Sequence, residues 1–468
     1  MAENNIIVAF ELGSSKIAGI AAQKNPDGSL KIRAYAHKDS SEFIRKGTVS
    51  NVDKTVAALK EIKLQLENTL HMHVKGAYVG LCGLSMRSEK NTISRQFGIE
   101  EKHIGTEIIE DLIDKNSQNA KGDEEILNTI IQEYQTATTT TLDPVGALTS
   151  SIQGNFLNIL ARTSLKANIQ RCFDQVDIKV FEYIVAPEAT AAVALNAVEL
   201  RSGSALVDIG AEITTITIYR NSILRYLRII PLGSAAITRD LCKLPNLAPE
   251  EEEAEQVKKK YGVAILSHNY NNPTPSAEGE NEEEFATLNN GRTISLEQIE
   301  LFTAARAEEI VANVWEFIKN SGYESELMGG IVLTGGGSNL KSIDELMKRY
   351  SKRNCHIASS VRSSLKTSGY PINTKDGGID LTLIGLLNAG TENGCSEIPE
   401  GENLTDAETA EHEPAPKEGK NTEKTGYGAG TAIKPGQEKE KEPEEKKPKK
   451  PGFKERINSW LGTILDND

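Results

Sequence analysis

Residues 203–221 read "GSALVDIGAEITTITIYRN": a buried-looking apolar run, an acidic residue, a glycine two places on, and a second segment rich in β-branched residues. That order predicts two strands joined by a tight turn. The same device occurs about two hundred residues earlier, in "NIIVAFELGSSKIAGIAA" (5–22). Taken alone, either stretch is a plain β-hairpin. A pattern repeated at that distance predicts two related lobes. The length of 468 residues agrees, being too great for one ordinary core.

In both turns a carboxylate precedes a glycine, Glu11 before Gly13 and Asp208 before Gly210. Glycine lets the backbone turn tightly and leaves N–H groups free to face an anion. Ser14, Ser15 and Lys16 add donors to the first turn, and Ala211 with Thr214 or Thr215 completes the second. Mg²⁺ favours one or two carboxylates plus phosphate oxygens, so Glu11 and Asp208 suit it. Opposed turns of this kind would clamp the phosphates of a nucleotide.

Two further stretches fit a nucleotide. "GGIVLTGGGSNL" (329–340) is an apolar strand, then Gly335, Gly336 and Gly337, then a helix start. Without Cβ atoms, those glycines leave room for a flat base or ribose. "EEEAEQVKKKYG" (251–262) is a charged helix carrying Glu255 and Lys258, and by itself reads as a solvated face. Strand-like and helical patterns alternate as far as residue 390, as an α/β protein requires. A polar gap at 267–291 reads as a surface loop.

The totals narrow the function. Lys and Arg number 53 against 67 acidic residues, and 53 − 67 gives −14, which argues against nucleic acid as a partner. The five cysteines form no close pair and read as reduced thiols. The start "MAENNIIVAF" shows no basic, apolar signal peptide, and no run is long enough to span a bilayer. Residues 391–451 are rich in Glu, Lys, Pro and Gly, the composition of a disordered linker of roughly 40–45 Å reach. Beyond them, in "PGFKERINSWLGTILDND" (451–468), Phe453, Ile457, Trp460, Leu461 and Ile464 recur at helical spacing. Lys446, Lys447, Lys449 and Lys450 precede that stripe, so an amphipathic helix at 452–468 would lie on an anionic membrane surface.

The paired turns, glycine loop and charged helix, in this order, resemble the actin/Hsp70/sugar-kinase superfamily. Within it the chain resembles the FtsA family of bacterial actin-like cell-division proteins. "IRKGTVSNVDKTVAALK", "ILNTIIQEY", "LDPVGALT" and "LRIIPLGSAAITRDL" carry that likeness. It implies an actin-like two-lobed ATPase fold with an inserted subdomain peculiar to the family. The implied boundaries are a first lobe at 1–83 and 164–200, the insert at 84–163, and a second lobe at 201–390 with a capping subdomain at about 235–312. It implies ATP and Mg²⁺, with phosphate contacts at Gly13, Ser14, Ser15, Lys16, Gly210, Ala211 and Thr214. Nucleoside contacts then fall on Glu255, Lys258 and Gly335 to Gly337, with metal near Glu11 and Asp208. "TAARAEEIV" (303–311) matches the helix that receives the C-terminal tail of the division protein FtsZ, with Arg306 as contact and Ala304 where the family usually has an acid. The other implied partners are copies of this chain in a filament, later division proteins, and the cytoplasmic face of the inner membrane at the division site.

Two departures concern catalysis. The family carries Asp where this chain has Glu11, and one extra methylene shifts the carboxylate by more than about 1 Å. In "YIVAPEATAAVAL" (183–195) Ala186 stands where active relatives hold a water-positioning Glu or Gln, with Glu188 nearby. Nucleotide binding with slow or absent turnover is the expectation. The competing readings are a small-molecule kinase of the superfamily and an ATP-binding pilus-assembly adaptor. Neither has a use for the terminal helix.

Overall fold

The structure, a computed structural model, describes residues 5–98, 100–120, 122–244, 251–266, 285–288, 291–358, 366–369 and 381–398. The apolar stripe and the linker beyond residue 398 lie outside the described residues. Among these, two large sheets of six and nine strands carry a mixed α/β fold. The first runs in spatial order Lys179–Val185, Gly76–Leu81, Ile6–Leu12, Lys16–Lys24, Leu30–Asp39 and Thr367–Ser368. Ile6 to Phe10 are all buried because helices pack against the sheet, and such strands read as continuous apolar runs. Helix Val52–Leu70 packs on the strands Lys16–Lys24 and Leu30–Asp39, and Leu381–Ala389 packs on Ile6–Leu12. Asn51 starts the first of these by accepting the Lys54 N–H at 3.0 Å, and His71, at φ 54°, ends it.

The expected linker begins later than residue 391. Cys395–Glu397 pairs antiparallel with Met72–Val74, and the Tyr78 hydroxyl accepts the N–H groups of Thr391 and Glu392 at 3.0 Å each. Composition predicts disorder there, but these backbone groups find partners in the first lobe and Cys395 is buried. Similarly, the polar gap closes on a short hairpin in which Phe285–Thr287 pairs with Thr293–Ser295.

The second sheet runs Thr140–Thr141, Glu124–Thr136, Ser151–Arg162, Arg87–Gln96, Ile223–Ile230, Thr214–Arg220, Ser204–Ile209, Gly330–Thr334 and Cys355–Ile357. Its first four strands belong to the segment between the first two passes through the first lobe; the chain enters that lobe a third time, since Thr367–Ser368 and Leu381–Ala389, expected within the second lobe at 201–390, pack with the first sheet. That insert therefore joins the second lobe edge to edge, a link that sequence pattern does not foretell. The backbone pairing is a single position, Arg87 opposite Arg228. Side chains complete it: Ser88 Oγ donates to the Leu227 carbonyl at 3.1 Å and accepts its N–H at 2.8 Å, while Gln132 donates to the Leu224 carbonyl at 3.0 Å.

Helix Thr106–Ser117 packs Ile108 and Leu112 against Tyr134, Ile152 and Phe156 of the insert's sheet, with Ile104 in the same cluster. A buried amide pair fixes its end. Asn116 Nδ2 donates to Asn158 Oδ1 at 2.8 Å, and Asn158 Nδ2 donates back to Asn116 Oδ1 at 2.9 Å. Asn116 is fully buried and Asn158 nearly so, so neither amide has water as an alternative. Replacing Asn116 by Ala strands the Asn158 amide and should cost about 1–3 kcal/mol in denaturant unfolding. An unchanged midpoint would show that the pair does not hold the helix.

Candidate functional site

The two repeated stretches form matching hairpins. Ile6–Leu12 pairs antiparallel with Lys16–Lys24, and Ser204–Ile209 with Thr214–Arg220. In the first turn the Gly13 N–H donates to the Lys16 carbonyl at 3.0 Å; in the second the Gly210 N–H donates to the Ile213 carbonyl at 2.9 Å. Each is a two-residue connection, Ser14–Ser15 in one and Ala211–Glu212 in the other. The registers agree as well, with Leu12 opposite Ile17 and Ile209 opposite Thr214.

That register places Thr214. Thr214 takes the place that Ile17 holds in the first hairpin, and both are fully buried. Its hydroxyl donates to the Leu232 carbonyl at 2.7 Å, so it braces the hairpin. Ser14 is buried and accepts the Gly47 N–H at 2.9 Å, whereas Ser15 is exposed and Lys16 reaches Tyr35 at 3.4 Å. Ser40, which the pattern does not single out, is fully buried; it donates from Oγ to the Gly13 carbonyl at 2.6 Å and from N to the Ser15 carbonyl at 3.1 Å. It is the clamp of the first turn.

Cys82 lies within electrostatic reach of both carboxylates. Burial, above all, pushes that thiol up to about 12; the Thr215 hydroxyl 3.8 Å away opposes this, and Asp208 and Glu11 both add to it. A thiol from the end of the first lobe's strand Gly76–Leu81 thus senses both candidate metal ligands. Among the described residues no group of three or more His, Cys, Asp or Glu side chains is arranged to hold a metal. A Mg²⁺ ion here would take most of its ligands from water and phosphate, as that ion prefers.

The glycine loop meets Asp208 directly. Gly335 has φ 83°, and a Cβ there would lie 2.2 Å from Asp208 Oδ1. A Cβ on Gly337 would strike Ile209 at 2.4 Å, but one on Gly336 meets nothing within 4 Å. The loop is thus pressed against the second hairpin by two glycines and faces open space at the third, a cradle suited to a flat group.

The charged helix is Glu251–Tyr261. Lys258 is buried, forms an ion pair with Glu255 at 2.5 Å, and donates to Thr238 at 2.9 Å and the Ser234 carbonyl at 3.3 Å. Burial lowers its pKa below the ordinary lysine value, with Glu255 opposing. Ser234 in turn donates its N–H to the Gly210 carbonyl at 2.9 Å, and Ala235 donates to Ala211 at 2.8 Å. Lys258 is therefore wired to the second turn through one residue. The structure brings together Glu11, Asp208, both turns, the glycine loop, Glu255 and Lys258.

Arg306 stands outside that network, on helix Leu296–Asn320. It donates from Nε to Asp240 at 2.6 Å and pairs with Glu309. These carboxylates, Asp240 first, raise its pKa further, so an incoming acidic group would compete with both. Ala186 begins helix Ala186–Ala194 and is buried. Glu188 accepts both of its Asn128 contacts, at 3.1 and 2.8 Å, from the insert strand Glu124–Thr136.

Two lobes built on repeated hairpins, joined by an insert, define an actin-like ATPase fold. One solved structure, described as "PilM-PilN type IV pilus biogenesis complex", superposes with a TM-score of 0.56 at 15% identity, covering 81% of this chain and 97% of that one. Residues 205–371 match the family model "Cell division protein FtsA". Curated proteins named "Cell division protein FtsA" agree: that of Porphyromonas gingivalis is 29% identical over 74% of this chain and 71% of its own length. That of Bacillus subtilis is 27% identical over 77% and 80%, and that of Escherichia coli 23% over 85% and 93%. The chain resembles the FtsA cell-division proteins over most of its length, and these relatives support an actin-like role in cell division. No helix among the described residues is long and apolar enough to cross a membrane.

The glycine geometry makes a direct comparison possible. Gly335→Ala forces a side chain into left-handed backbone and against Asp208, and should lower stability by at least about 1–2 kcal/mol. Gly336→Ala, pointing into open space, should leave the unfolding midpoint within about 0.5 kcal/mol of the parent. Equal loss in both variants would contradict the assigned orientation of the loop.

Proposed function

We propose that this chain binds ATP with Mg²⁺ between its two hairpin turns and assembles with its own copies into a filament on the cytoplasmic face of the inner membrane. There it holds the FtsZ ring through the FtsZ C-terminal tail and gathers later septation proteins. The observation that carries the nucleotide part is the meeting of Asp208 and the Gly335–Gly337 loop beside two turns of identical hydrogen bonding. Gly13, Ser15, Gly210 and Ala211 would face the phosphates, and Gly336 would lie under the base or ribose. Glu11 and Asp208 would hold the hydrated metal, which when bound neutralises phosphate charge. Ala186 stands in place of a polar side chain and Glu188 is engaged by Asn128, which supports slow or absent turnover.

Gly336→Asp tests this. It puts a charged group into the open face of the loop without a clash in the protein itself, so folding should persist while calorimetric binding of Mg·ATP is abolished. Equal affinity in the parent and the variant would remove the glycine loop from the nucleotide site.

The membrane part rests on the stripe Phe453, Ile457, Trp460, Leu461 and Ile464. An isolated helix of that length is marginal in water and gains from a surface to lie on. Asp466 and Asp468 oppose anionic lipid, so one copy binds weakly and a filament adds avidity. Trp460→Glu with Leu461→Lys should release the protein from anionic vesicles in co-sedimentation while ATP affinity stays put. Undiminished sedimentation of the double variant would show that this helix is not the anchor.

A further inference from the structure

The turn Arg45–Lys46–Gly47 lies between the two phosphate turns and touches both. Lys46 and Gly47 have φ of 50° and 72°, so their successive N–H groups point away from the turn's own chain. The Gly47 N–H donates to Ser14 Oγ of the first turn at 2.9 Å. The Lys46 N–H donates to Glu212 Oε2 of the second turn at 2.6 Å. Arg45 Nη1 lies 3.1 Å from Glu212 Oε1, and Arg239 Nη1 approaches the same oxygen at 4.0 Å. A Cβ on Gly47 would meet the Cys82 carbonyl at 2.6 Å, and the Lys46 carbonyl accepts the Leu84 N–H at 3.1 Å, so the turn is fixed to the first lobe.

We propose that Glu212 is a positioning residue: with the Arg45–Gly47 turn it forms an interlobe clasp that sets the separation of the two phosphate turns before any nucleotide arrives. Glu212 meets the opposite lobe's turn more closely than it meets Arg239 of its own lobe. It occupies the second position of a two-residue turn, where Ser15 stands in the other hairpin, yet its side chain is largely buried against the opposite lobe. Arg45 is half exposed, so solvent screens its share. The short bond from an N–H to an ionised carboxylate carries more of the contact. The clasp needs no ligand to form, but its consequence for affinity rests on the nucleotide reading above.

The test measures the nucleotide-free full-length protein by single-molecule energy transfer between fluorophores click-coupled at the exposed positions 31 and 345, one in each lobe. Glu212→Ala should shift the interlobe distances to longer values and broaden them. Glu212→Gln, which keeps an acceptor for the Lys46 N–H but loses the charge, should shift them less, and it carries the test if the Ala variant fails to fold. Coincident distance distributions in parent, Gln and Ala proteins would overturn the clasp. A Mg·ATP titration of the parent separates the two ideas: a distance shift in a protein that binds no nucleotide keeps the clasp and ends the nucleotide reading. Nucleotide binding with immobile distances does the reverse.

Discussion

Asp208 and Gly335 approach so closely that no atom larger than hydrogen fits on the glycine's side-chain position. The second lobe is organised around that contact. It requires Ser204–Ile209 and Gly330–Thr334 to run parallel and in register, with Asp208 opposite Thr334, so that carboxylate and loop emerge at the same edge. Parallel strands need a long crossover. Here it contains the second hairpin and the helices Ala235–Leu241, Glu251–Tyr261 and Leu296–Asn320. The elements that supply Glu255, Lys258 and Arg306 are thus carried by the connection that this one contact obliges the chain to make.

The insert answers a different constraint. Its sheet buries one face under helix Thr106–Ser117 but has strand edges to satisfy. Continuity with Ile223–Ile230 shields one edge, and because the backbone pairing covers a single position, the hydroxyl of Ser88 and the amide of Gln132 take over the remaining contacts shown there. Arg87 at the junction is held by Glu124 and Glu89, which offsets its neighbour Arg228 across the seam. Few backbone bonds and several polar side chains make a joint that is specific in register without being as strong as a full ladder. Asn128 extends it to Glu188, so the insert touches the helix that follows the strand Lys179–Val185.

What the sequence discloses follows from the range of the interactions involved. The two hairpins and the glycine loop are legible because their signals are local: an apolar run, a carboxylate, a glycine. The membership of Glu255 and Lys258 in the site came from resemblance, since a helix reading "EEEAEQVKKKY" has no local mark of burial. Ser40, Cys82 and Glu212 went unseen because their partners lie 27, 133 and 167 positions away in the chain. The structural part of Thr214 is hidden for the opposite reason. A hydroxyl in a turn looks like an available donor, and only the register with Ile17 shows that it must point inward. Residues 391–398 look like linker because composition does not record the partners their backbone finds.

The repeat reaches one strand further than its motif. Glu11 lies opposite Gly80 in a parallel pair, just as Asp208 lies opposite Thr334. Continuing along each partner strand, Leu81, Cys82 and Gly83 in the first lobe correspond to Gly335, Gly336 and Gly337 in the second. Both lobes therefore offer the same corner beside a carboxylate, and side chains decide which one is open. In the first lobe Cys82 fills the corner, its thiol reaching across to Thr215 of the other hairpin. In the second the matching position is Gly336, with nothing within 4 Å of where a Cβ would stand. Near-symmetric halves thus differ at one position: one corner is spent on contact between the lobes, and the other is open. A side chain at residue 336 would make the two corners alike and remove that asymmetry.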